Sequence, residues 1–146
     1  MKIIKISTDL ELTVHEIPEG NYYAQNKVFK ELIGNKCSIY EHVMPNRLYT
    51  ELNMKHEVTS IPGQCVSMLI DEESLLKPNI TNLVGSYLYE TDKHNVPIMG
   101  NILFVGEKRN DGIDFCGIEE ETFKKLELGL NNLVYAMKAT KEALDK

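Results

Sequence analysis

The chain has 146 residues, 42% of them hydrophobic, and a formal net charge of −6. That length suits a single domain with one independent core, and the composition excludes disorder. No apolar run approaches the roughly 20 residues that cross a bilayer, and the acidic balance excludes a non-specific nucleic-acid binder, which needs a basic face to displace counterions.

Residues 2–7 and 10–17 interleave apolar and polar side chains on either side of Thr8-Asp9, which predicts two half-buried strands in a hairpin. Pro18-Glu19-Gly20 ends the second. Asn21 then suits a helix cap, with Tyr23, Val28, Leu32 and Ile33 near helical spacing and Gly34-Asn35 as the stop. Residues 37–43 alternate again and predict a third strand. Residues 44–63 hold Pro45, Pro62 and Gly63 and read as a long irregular segment, with local packing from Leu48, Leu52 and Met54. Long irregular segments in compact domains are often functional.

Residues 64–70 predict a strand closed by the turn Asp71-Glu72-Glu73-Ser74. Residues 83–89 suit a short helix or a strand. Residues 97–106 predict the clearest strand, with a bulge at Gly100. Asn110-Asp111-Gly112 predicts a tight turn and residues 113–118 a strand or extended arm. Phe123, Leu130, Met137 and Leu144 repeat every seven residues, with Leu126 and Leu133 between them. This predicts a C-terminal helix packed on the sheet or projecting to pair with a second copy, and Gly129 with Asn131 and Asn132 is a point where it can divide. The expected architecture is α+β: a mostly antiparallel sheet of five to six strands, one helix after the first hairpin, and the C-terminal helix.

Cysteines 37, 65 and 116 are odd in number, far apart, and flanked by apolar residues, as buried free thiols in a reducing cytoplasm would be. The opening Met-Lys-Ile-Ile-Lys-Ile lacks the unbroken apolar stretch of a secretory signal. Cytoplasmic location is therefore expected.

The order of these elements resembles the domain-of-unknown-function family 3846, small proteins of phages, plasmids and integrative elements. The residues that carry the resemblance are the hairpin at 2–17, Leu32-Ile33-Gly34 followed by Ile39-Tyr40-Glu41-His42-Val43, and 66–78 with Asn79 as a strand, acidic turn and Pro-x-Asn passage. Ile98-x-Gly100 followed by Gly106, and Ile118-Glu119-Glu120-Glu121 opening the last helix, complete it. Two departures stand out: residues 44–63 are longer than the pattern, and the chain continues well past the first turns of the last helix. The resemblance implies a fold and a mobile-element setting, and no activity.

His15, His42, His56 and His94 show no metal-ligand spacing, and no cysteine lies close enough in sequence to complete a set, so neither a metal nor a cofactor is expected. Cys37 and Cys65 sit on expected core strands, which leaves Cys116 as the open thiol. The run Asp71, Glu72, Glu73 reads as solvated turn charge. Asn79 and Asn82, in a Pro-broken segment, can read a base or carbonyl, or can cap a local turn. Tyr87 and Tyr89, with Tyr40 and the pair Tyr22-Tyr23, suit stacking on a flat ligand. Arginine occurs only at 47 and 109. Arg47, in the irregular segment, and Lys108-Arg109, at a strand end, are the expected contacts to an anion.

Two functional classes follow. The setting implied by the resemblance favours a non-enzymatic binder, expected to be a homo-oligomer, that sequesters a small nucleotide-like host-defence signal. The alternative is an inhibitor or adaptor that acts on a host protein through its acidic surface and C-terminal helix. An enzyme ranks last, because no nucleophile–base pair is visible in the sequence.

Overall fold

The opening isoleucines place their side chains on both faces of a strand: β1 (Lys2–Ile6) sends Ile3 to one side and Ile4 and Ile6 to the other. The computed structural model describes residues 1–144. β1 pairs with β2 (Leu12–Glu16) as the expected hairpin. The connecting turn is wider than Thr8-Asp9, however, and takes in Leu10, which adopts a left-handed φ of 63°. That strained conformation persists because it drives the Leu10 side chain into the core, where it is fully buried.

Helix α1 (Tyr22–Ile33) begins where expected, with Asn21 Oδ1 accepting from the Ala24 amide at 3.0 Å. It ends at Gly34, whose φ of 72° closes the last turn. Strand β3 is shorter than the alternation predicts, covering only Tyr40–Val43, because its partner β4 (Cys65–Asp71) ends opposite Tyr40. The irregular stretch between them folds locally into α2 (Asn46–Glu51), which buries Leu48.

Residues 83–88 resolve as helix: α3 (Leu83–Leu88) is followed by the single turn α4 (Thr91–His94). The next strand, β5 (Ile102–Arg109), is displaced from the expected 97–106. Gly100, at φ 85°, kinks the backbone so that the preceding residues cannot join the ladder. β6 (Ile113–Cys116) pairs with the end of β5, and α5 (Glu120–Leu144) completes the fold.

The sheet has the order β2-β1-β5-β4-β3, with β6 also on β5, and every pairing of named strands is antiparallel. Helix α1 covers one face through Phe29 and Ile33, against Ile3, Leu69, Leu103 and Val105. Helices α2, α3 and α5 cover the other against Ile4, Val66, Met68, Ile102 and Phe104. The central strands are therefore apolar on both faces, which is why β4 and β5 read as near-continuous hydrophobic runs.

Helix α5 is one helix. Gly129 lies on its buried face, where an added Cβ would stand 2.4 Å from Leu52 Cδ1, so the glycine serves close packing. Its start is capped by Glu119, whose carboxylate accepts from the Thr122 amide (2.8 Å) and hydroxyl (2.7 Å). The helix packs on the sheet side through Met137, as expected, and residues 138–144 are exposed beyond it. No helix among the described residues is long and apolar enough to cross a membrane.

Candidate functional site

Strand β5 outruns its neighbour. The last β4 pairing joins Cys65 to Glu107, so Lys108 and Arg109 extend past β4 and are held only by β6. Residues 58–63 fold over this open end. The Gly63 amide donates to the Glu107 carbonyl at 3.0 Å, and Arg109 Nη2 donates to the Val58 carbonyl at 3.4 Å. Lys108, Arg109, Thr59, Ser60, Val58 and Pro62 line a cavity of about 380 Å³. No carboxylate lines it, and neither cation pairs with one among the described residues. Two cations without a carboxylate partner make a place for an anion, while the Thr59 hydroxyl beside them already bonds Gln64 Oε1 at 2.8 Å. Thr59 and Ser60 were missed from sequence. Their signal was the length of the 44–63 segment, and the pairing with a distant strand end lay beyond any local pattern.

Beneath this end lies a buried carboxylate that the sequence reading also missed. Glu107 is 6% exposed, accepts a short hydrogen bond from Ser67, and has His42 Nε2 3.6 Å away. Cys65 stands directly opposite it across the β4–β5 ladder. Burial pushes the Glu107 carboxyl up, with His42 pulling the other way. The unfolded chain therefore ionises first as pH rises. The stability gained from a protonated Glu107 is complete below its ordinary value of 4.5 and is lost as pH rises through the raised folded value. Glu107→Gln is accordingly expected to gain on the parent in melting temperature between pH 4 and pH 7. A gap between the two that stays constant over that range would exclude the assignment.

The other expected ligand residues do not join the cavity. Arg47, only 17% exposed, donates to the Tyr87 carbonyl and to Asp92 Oδ2, both at 2.8 Å, and lies 4.5 Å from the centre of the Tyr87 ring. It braces α2 against α3 and α4, and its charge is already answered. The Tyr87 hydroxyl donates to Glu51, and the Tyr89 ring packs edge-on against His94 at 4.9 Å.

Asn79 borders a separate cavity with Asn35 and Asn101, where all three amides bond neighbouring backbone. Asn82 is fully buried and caps α3, so the local-cap reading describes it. Cys116 is buried and its thiol is pushed up by burial, which removes it as a nucleophile candidate. The Asp71 carboxylate corrects the solvated-turn reading: it is buried, 2.7 Å from Lys77 Nζ, and accepts from the Glu73 amide. No cluster of three or more metal-ligating side chains is assembled among the described residues.

Together these features define a six-stranded α+β protein with a basic, hydroxyl-bearing cleft at the open end of its sheet. Set against models of known families, curated proteins and solved structures, the chain matches none.

Proposed function

We propose that the protein is a non-enzymatic binder of a small, nucleotide-like anion, held at Lys108 and Arg109 under the 58–62 loop. The observation that carries this reading is the pair of cations without carboxylate partners at the mouth of a cavity. The mobile-element setting implied by the family resemblance makes sequestration of a host signalling nucleotide the function proposed for that binding.

The test is thermal denaturation with a panel of cyclic and ADP-ribose-type nucleotides, followed by analysis of what heat releases. A true ligand at a hundredfold excess over its Kd adds ~2.7 kcal/mol of stability and returns intact. Arg109→Ala and Lys108→Ala are each expected to weaken binding roughly 10–100-fold, the range for a hydrogen bond to a charged group. Arg47→Ala, which acts on the fold, leaves affinity unchanged. Recovery of a cleaved nucleotide would make the protein an enzyme instead. No response from any nucleotide would favour the second reading, a protein-binding adaptor, for which the exposed end of α5 with Tyr135 and Leu144 supplies the surface.

A further inference from the structure

A second cavity, of about 280 Å³, opens on the other side of Lys108, between the first turn of α1 and the β5–β6 hairpin. Its character differs from the rest of the surface. The rings of Tyr40 and Phe115 line it, their centres 6.4 Å apart, and Phe29 supports both from within the core. Tyr22, 70% exposed, stands at its edge with a ring that nothing but Tyr23 restrains among the aromatic pairs.

Some of the polar groups here are engaged with one another and some are free. Tyr40 donates its hydroxyl hydrogen to Asn26 Oδ1, and the Asn26 amide nitrogen has no hydrogen-bond acceptor among the described residues. Neither the Gln25 amide nor the Lys108 ammonium has a side-chain hydrogen bond or ion pair among the described residues. At the rim, Asn110 Nδ2 donates to Asp114 Oδ2 at 2.9 Å, and the Asp114 carboxylate keeps its charge on this side of Lys108. The contrast is with the cavity around Asn35, Asn79 and Asn101, which is larger but whose amides are all tied to backbone.

Aromatic faces combined with free amide donors and acceptors are the means by which proteins hold an unpaired nucleobase. The volume lies just below the usual range for ligand cavities, about 300–1,000 Å³, and suits one ring system. We infer that this cavity is a nucleobase subsite: Tyr22 stacks on the ring, Asn26 and Gln25 read its edge, and Lys108 joins it to the anion cleft. The inference rests on the reading above for the phosphate end alone. The ring site stands on its own geometry.

Equilibrium dialysis of the whole protein with the four ribonucleoside monophosphates, the matching nucleosides, ribose 5-phosphate and inorganic pyrophosphate tests it. At least one monophosphate is expected to bind about tenfold or more tightly than ribose 5-phosphate. Tyr22→Ala, at an exposed position that the fold does not need, and Asn26→Ala should each erase that difference while leaving pyrophosphate affinity intact. Monophosphates that bind no better than ribose 5-phosphate, in parent and Tyr22→Ala alike, would overturn the subsite and leave the anion cleft standing. A nucleoside that binds the parent and not Tyr22→Ala, with no response to pyrophosphate, would uphold the subsite and remove the anion cleft. Absence of any binding overturns both.

Discussion

Asn82→Ala is expected to destabilise the protein by about 3–5 kcal/mol, lowering its melting temperature by roughly 10 °C or more for a chain of this size. Asn82 Nδ2 donates to the Ile6 carbonyl (3.1 Å) and the Gly100 carbonyl (2.9 Å), while Oδ1 accepts from the Gly85 amide (2.9 Å). One buried side chain thus ties the end of β1, the kink before β5 and the start of α3. Alanine removes the helix cap and strands two carbonyls away from water. Asn82→Asp keeps the cap acceptor but places a carboxylate oxygen against those carbonyls, and should fare no better. Asn79→Ala is the control, since its amide reaches only Ser74 O at 3.5 Å and the adjacent Ile80 amide. If the Asn82 and Asn79 variants melt within 2 °C of each other, the role assigned to Asn82 is wrong.

Gly106→Ala should be comparably severe, costing about 3 kcal/mol or more as an overpacked core site does. An added Cβ at Gly106 would stand 2.4 Å from the Gly117 carbonyl oxygen and 2.9 Å from Gly63 Cα. Both neighbours are backbone, so no side chain can swing aside to relieve the clash. Three glycines meet at this point because β5, the arm entering α5 and the loop over the anion cleft all cross there. The Gly63 carbonyl also accepts from the Glu119 amide at 3.0 Å, so the crossing is hydrogen-bonded as well as tight. Gly20→Ala, where nothing lies within 4 Å and only the φ of 84° resists, is expected to cost far less. Urea titration of the two variants beside the parent ranks them, and equal midpoints would refute the crossing as a constraint.

What could be read in the sequence was local. The opening hairpin, Asn21 as a cap, Gly34 as a stop and the apolar stripe of α5 are written in spacings of a few residues, and they appear where expected. The displaced strand β5 shows the limit. Ile98 and Met99 extend the apolar run of the strand, but the Gly100 amide donates instead to the Ile80 carbonyl, twenty residues earlier. The same holds at the candidate sites. Lys108 and Arg109 could be picked out as strand-end cations, whereas Arg47 looked equivalent until Asp92, forty-five positions later, was seen beside it. Whether a charge is available or already answered is a property of the fold. Asn82 makes the point from the other side, since two of its three partners are 76 and 18 positions away.

The overhang of α5 gives the molecule two thermal regimes. Through Met137 the helix shares the fate of the sheet, because its apolar face is locked into the core. The seven described residues beyond it, 138–144, have no such anchor. Two isolated turns are marginal in water, so their order comes only from propagation out of the packed segment. The tip of α5 therefore frays and re-forms on its own clock, tracking temperature gradually while the rest of the chain waits for a single cooperative transition.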